Sequence, residues 1–271
     1  MKELFQSNRP LVMGILNTTP DSFSDGGNYV RKDIALRRIE SMIQEEVDII
    51  DVGGESTRPG AQAVSVNEEL DRVIPMVEAV VASGKPVSVD TSKAAVMTEA
   101  INAGACMIND VRALQDEGAI DAVASDPNVL LCLMHMKGQP RTMQQNPEYS
   151  DVVAEVKLFL KERVALCLEA GIATERICLD PGFGFGKKLQ HNCELMKHLD
   201  SFKELNLPLL VGVSRKTMIG TILDADVNDR ANGSVAASMY ALTKGARILR
   251  VHDVKATIEA VKLFCAFEQA K

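Results

Sequence analysis

Eight short apolar runs, separated by longer amphipathic stretches, constrain this chain more than any other feature. The runs occupy residues 11–16, 48–52, 86–89, 107–108, 129–134, 177–179, 208–212 and 247–251. They are rich in Val, Ile and Leu, as strands buried on both faces should be. The stretches between them, 32–46, 68–82, 94–103, 119–125, 151–170, 189–199, 232–244 and 254–269, read as helices. In the first, Ile34, Ile39, Met42 and Ile43 fall close to one helical stripe. The fifth stops at Gly171, a residue suited to the left-handed position just past a helix end. Strand–helix alternation argues a parallel sheet with crossover helices. Eight units in 271 residues is roughly 34 residues each, which fits a closed α/β barrel of the (β/α)8 TIM type. No low-complexity linker divides the chain, so a single domain over residues 1–271 is expected. A doubly wound open sheet is the alternative. The fourth run, only two residues long, is the weakest strand signal.

Composition removes several function classes. Apolar residues make up 46 % of the chain, enough for a large core, yet no uninterrupted apolar stretch reaches the ~18 residues of a membrane span. Residues 1–10 are polar and too short for a signal peptide, so a cytoplasmic location is expected. The net charge is −7 and no Lys/Arg run occurs, which argues against a nucleic-acid partner. An anionic small molecule is still compatible, because a few local cations outweigh net charge inside a cleft. The six cysteines, Cys106, Cys132, Cys167, Cys178, Cys193 and Cys265, form no C-x-x-C pair and read as buried free thiols. The four histidines have no recognisable zinc spacing.

A barrel places its active site where the strands end at their carboxyl side. The apolar runs lead in order to Asn17, Asp51, Asp90, Asn109-Asp110, His135, Asp180, Ser214-Arg215-Lys216, and Arg250 with His252. Polar loops would place such groups somewhere in each connection; their position directly at the run ends points to one functional rim. Asp90, Asn109 and Asp180 supply acceptors and an amide, and a carboxylate can take the two adjacent N–H groups of an amino-pyrimidinone side by side. Arg58, Arg215, Lys216, Arg250 and His252 supply positive charge and forked donors that match phosphate oxygens. Asn17 is a neutral oxygen ligand of the kind Mg2+ takes alongside waters and substrate phosphate.

The segment from Gly182 to Gly186 alternates glycine with Phe183 and Phe185. It does not fit G-x-G-x-x-G, so no dinucleotide site is indicated; a tight turn is the simpler reading, with Phe185 a candidate substrate contact. Residues 18–28 and 53–64 form connections longer than the roughly 2–6 residues usual in α/β units and read as lids over a substrate.

These residues resemble a known family. Gly14-Ile15-Leu16-Asn17-Thr18-Thr19-Pro20-Asp21-Ser22-Phe23-Ser24-Asp25-Gly26-Gly27 is similar to the first signature of dihydropteroate synthases, and Ile50-Asp51-Val52-Gly53-Gly54-Glu55-Ser56-Thr57-Arg58-Pro59-Gly60 to the second. Val89-Asp90-Thr91-Ser92-Lys93, Ile108-Asn109-Asp110, Leu179-Asp180-Pro181-Gly182-Phe183-Gly184-Phe185-Gly186-Lys187, Val213-Ser214-Arg215-Lys216 and Arg250-Val251-His252-Asp253 continue in order across almost the whole chain. The resemblance implies a barrel that joins a dihydropterin diphosphate to para-aminobenzoate in folate synthesis. It implies a pterin held deep by Asp90, Asn109, Asp180 and Lys216, and a diphosphate held by Asn17, Arg250 and His252, with Asn17 also toward Mg2+. It implies that Phe23, Thr57, Arg58, Pro59, Ser214 and Thr217 lie near the para-aminobenzoate, and that the chain forms a homodimer. Thr18 stands where the family usually has valine, and Thr217 where it often has serine.

Asp90, Asp180, Lys216, Arg250 and His252 are therefore the expected catalytic set, acting on an SN1-like path without a covalent nucleophile. A pterin- or folate-binding methyltransferase domain is the nearest rival. A catalytically silent pterin-binding module, and an aldolase-like barrel with Lys216 as a Schiff-base lysine, are the others.

Overall fold

The computed structural model describes residues 4–5, 7–19, 28–56, 60–139 and 142–270, with residues 28–31 as backbone only. Eight strands pair in chain order and close on themselves: β1 Leu11–Asn17, β2 Ile49–Gly53, β3 Val87–Asp90, β4 Met107–Asp110, β5 Leu130–Met134, β6 Ile177–Asp180, β7 Leu209–Val211 and β8 Ala246–Val251. Every pairing is parallel, and the β1–β8 pairing excludes the open-sheet alternative. Around the barrel lie α1 Asn28–Gln44, α2 Val66–Ala82, α3 Ala94–Asn102, α4 Ala119–Ala124, α5 Val152–Glu169, α6 Leu189–Lys197, α7 Thr217–Leu223, α8 Ala231–Thr243 and α9 Val254–Glu268. No helix among the described residues is long and apolar enough to cross a membrane.

All eight predicted runs are strands, including the two-residue fourth. It reads as short because the ladder continues through Asn109 and Asp110, which are polar. The helix ends follow local chemistry. Asp151 accepts a bond from the Ala154 N–H at the start of α5, and Gly171 takes a positive φ of 83° just past its end. The seven residues of α7 were missed by periodicity. They include Gly220, a poor helix former, and depend on tertiary support: a methyl group there would lie 2.3 Å from the Arg230 guanidinium, which closes over the helix and bonds the Ala225 and Arg215 carbonyls.

Strand alternation sorts side chains into two cores. Ile50, Val52, Val89, Ile108, Leu131, Leu179, Leu249 and Val251 point outward and pack beneath the helices. Leu11, Met13, Ile49, Cys106, Met107, Leu130, Cys132, Cys178, Leu210 and Ile248 form a second, separate cluster that plugs the lower lumen. Cys106, Cys132, Cys167 and Cys178 are buried as expected. Cys193 is exposed and Cys265 half-buried, a correction to the reading of all six as buried; both sit on helices, α6 and α9, where the apolar face covers only part of the circumference.

Candidate active site

Two residues further along four of these strands, the lumen-facing side chain changes from apolar to polar: Ile49 is followed on that parity by Asp51, Met107 by Asn109, Cys178 by Asp180 and Ile248 by Arg250, while on β3 the buried Ser88 precedes Asp90. The register sets these groups in neighbouring rows: Gly53 stands beside Asp90, and Asp90 beside Asn109. The upper lumen is thus a polar layer resting on an apolar plug.

Arg250 organises its floor. Its Nε donates to Asp51 Oδ2 at 2.6 Å and its Nη2 to Asp90 Oδ2 at 2.7 Å. Asn109 Nδ2 donates to the same Asp51 oxygen at 3.2 Å. Asp51 is fully buried, and its Oδ1 has no hydrogen-bond partner among the described residues. Burial works against the Arg250 charge, but Asp51 and Asp90 outweigh it and hold the guanidinium above its ordinary range. Burial pushes the Asp90 carboxyl up to about 7, with Arg250 opposing the rise.

Asp180 and Lys216 face each other across the cup. Burial raises the Asp180 carboxyl, and the Lys216 charge is the strongest influence opposing it. Burial brings Lys216 down to about 8, with Asp180 holding it back. Asp180 Oδ1 accepts the Gly182 N–H at 2.7 Å. Lys216 Nζ donates to the Phe183 carbonyl and sits 4.5 Å above the Phe185 ring, a cation–π contact. The predicted Asp90, Asn109, Asp180, Phe185, Lys216 and Arg250 are therefore brought together.

The rim residues sort differently. Asn17 ends β1, half-buried, with its Oδ1 close to the space left by the missing Gly53 side chain: a methyl there would lie 3.6 Å from it. Ser214 Oγ is 3.1 Å from His252 Nδ1 and accepts the His252 N–H at 3.1 Å. Thr217 is the exposed first residue of α7. Arg215, expected as a phosphate donor, instead grips Asp253 through Nε and Nη2, and that carboxylate raises its already high pKa. Phe23, Thr57, Arg58 and Pro59 lie outside the described residues. Asp110 ties its own loop to the one after β3, accepting bonds from the Arg112 and Leu114 N–H groups and from Ser92 Oγ.

Sequence reasoning gave no role to Asp51 or His135, and quoted Lys187 only within a motif. Asp51 and His135 are both read at the rim, where their apolar runs end, but without the partners they meet there. Nothing local signals that His135 and Lys187 are partners, since 52 residues separate them.

Comparison with known proteins agrees with this geometry. Residues 13–252 match the family of pterin binding enzymes. The dihydropteroate synthase of Escherichia coli strain K12 is 52 % identical over 265 residues, covering 97 % of this chain and 94 % of that one. A crystal structure of the Yersinia pestis dihydropteroate synthase with a sulfonamide drug superposes with a TM-score of 0.92 at 51 % identity, covering 97 % of this chain and 95 % of that one. The Xanthomonas albilineans dihydropteroate synthase with 4-aminobenzoic acid gives 0.92 at 49 % identity and the same coverage. The chain belongs to the pterin binding enzyme family and, within it, to the dihydropteroate synthases.

Proposed function

We propose that the cup joins 6-hydroxymethyl-7,8-dihydropterin diphosphate to para-aminobenzoate, giving 7,8-dihydropteroate and diphosphate as a step in folate synthesis. The observation that carries this reading is the polar layer itself: buried acids and an amide on the floor, with Lys216 and Arg250 among them. The 4-aminobenzoic acid held by the Xanthomonas albilineans protein supports the choice of second substrate. A pterin presents adjacent ring and exocyclic N–H groups, which an Asp180 carboxylate pairs with side by side; Asn109 and Lys216 meet the remaining polar edge. Asp90, shared with Arg250, borders the pterin methylene carbon. As the C–O bond breaks, its electron pair leaves with diphosphate, and the cation left on the pterin is stabilised by Asp90 and Asp180. The arylamine nitrogen then forms the C–N bond and loses its proton. Arg250 and His252 neutralise the leaving group, and Ser214 orients the His252 ring. Ser214 and Thr217, with Phe23, Thr57, Arg58 and Pro59, are assigned to the arylamine side.

The chain's residues fit Mg2+ as cofactor in one mode. Asn17 offers a single neutral oxygen above the gap at Gly53, and the described residues contain no cluster of three His, Cys, Asp or Glu that would cage a metal. Such a donor suits an ion that keeps its waters and takes phosphate oxygens. When bound, Mg2+ would offset the charge of the departing diphosphate. A homodimer is also proposed, supported by the apolar Ile222, Leu223 and Tyr240 that α7 and α8 leave exposed; sedimentation as a monomer at assay concentration would refute it.

Diphosphate release on mixing the two substrates, with and without Mg2+, tests the reaction. Its absence with both present would sink the reading. Exchange of bridging and non-bridging oxygens in the diphosphate without arylamine separates the SN1-like path from direct displacement. Sulfonamides should compete with para-aminobenzoate, since both present the same arylamine; inhibition unaffected by para-aminobenzoate would contradict that assignment.

A further inference from the structure

One buried lysine takes no part in the scheme above. Lys187 is almost wholly enclosed, and among the described residues no carboxylate touches it. Its Nζ lies 2.8 Å from His135 Nδ1, 2.8 Å from the Gly182 carbonyl and 3.1 Å from the Phe185 carbonyl. The His135 carbonyl oxygen lies at 3.4 Å, so four polar atoms close over the Lys187 nitrogen and tie the end of β5 to the β6–α6 loop; burial lowers the amine well below the ordinary lysine range. His135 can accept because burial, with the Lys187 charge adding to it, depresses the ring to about 2, leaving it neutral. The ring is wedged edge-on against Phe159, centroids 5.0 Å apart.

The loop between β6 and α6 is wound around this nitrogen. Gly182, Gly184 and Gly186 all have positive φ. A methyl group at Gly182 would lie 1.9 Å from the His135 carbonyl oxygen, and one at Gly186 would lie 2.3 Å from the Lys137 carbonyl oxygen, so only glycine permits the winding. The carbonyls of Gly182 and Phe185 turn inward to Lys187, while that of Phe183 turns toward Lys216. One face of the loop thus grips one lysine and the other face seats the second. Phe185, beneath Lys216, is fixed by the same winding.

We propose that Lys187 is a positioning residue of the pterin pocket: its nitrogen holds the Gly182–Gly186 loop from within, and that loop seats Lys216 through the Phe183 carbonyl and the Phe185 ring.

Steady-state constants of the full-length enzyme test this. Lys187→Met keeps the side-chain length and removes the polar head. The expected result is a KM for the pterin diphosphate raised about tenfold or more, with the para-aminobenzoate KM within about twofold. A folded Lys187→Met enzyme with an unchanged pterin KM, or with both KM values raised together, overturns the proposal. If that variant does not fold, His135→Leu and His135→Asn decide: Leu removes the acceptor and should raise the pterin KM, while Asn restores an acceptor near the Nδ1 position and should bring it back. Equal constants for the two overturn the proposal. The inference rests on Asp180 as the pterin anchor, so Asp180→Asn is measured alongside. No pterin effect in Asp180→Asn defeats that underlying reading. An effect there, with none in Lys187→Met, defeats only the role given to Lys187.

Discussion

The lower and upper halves of the barrel lumen are built on the same strands, with the same side-chain parity, and behave oppositely. Below, Met13, Ile49, Met107, Leu130 and Ile248 fill the space with apolar atoms and ask nothing of their partners' charge. Above, Asp51, Asp90, Asn109 and Arg250 form a connected network in which each member's state depends on the others. Burial within the upper layer is what raises Asp90 and lowers Lys216. A packed core contributes stability; the polar layer it supports gives up stability for a preorganised binding site.

That contrast can be broken most sharply at Arg250. Arg250→Met leaves Asp51 and Asp90 buried without their shared cation. Loss of a partner from a buried ion network costs roughly 3–5 kcal/mol. The variant should melt lower at neutral pH, and its kcat/KM should fall by about a thousandfold, on the scale of losing a transition-state electrostatic contact. Retention of wild-type kcat/KM would show that Arg250 is structural only.

Lys216 offers the next test. Below about 8 its ammonium is charged; above that it is neutral, and its attraction to the Asp180 carboxylate is lost. The kcat/KM for the pterin diphosphate should fall about tenfold per pH unit on the alkaline side, as expected for loss of one essential proton. Lys216→Arg, whose guanidinium does not titrate there, should lose this limb even if its activity is lower. An alkaline limb that persists in Lys216→Arg assigns it to another group.

The plug should respond in the opposite currency. Met107→Ala removes a fully buried side chain from the lower cluster and should cost roughly 2–5 kcal/mol of stability. Chemical denaturation measures this, and the kcat/KM of the folded enzyme should stay within about threefold, the effect of a distant packing change. A large kinetic loss would mean that the plug shapes the floor directly.

The smallest effect is expected at the cysteines. Burial raises Cys106 and Cys167 to about 11, so neither thiol is ionised near neutral pH. Serine at each of the six positions in turn should leave turnover largely intact. A loss of about tenfold or more at one of them would contradict a reaction without a covalent nucleophile.

Sequence alone determined the alternation of parallel strands and crossover helices, while closure into a barrel was decided by the pairing of β1 with β8. Eight runs of Val, Ile and Leu suit strands buried on both faces under helices, and the helix ends at Asp151 and Gly171 were marked by their own chemistry. It also placed Asp90, Asn109, Asp180 and Arg250 at one rim, because strand ends converge in any closed barrel. Other features were decided only by tertiary structure. The α7 helix needs Arg230 from a later segment; Arg215 is drawn to Asp253 rather than to the mouth; Asp51 becomes a site residue through Arg250, 199 positions away; and Lys187 finds His135 across 52. Local periodicity records which way a side chain must face. What it meets there is settled by closure of the ring, which brings distant residues into a low-dielectric space where each buried charge needs a partner.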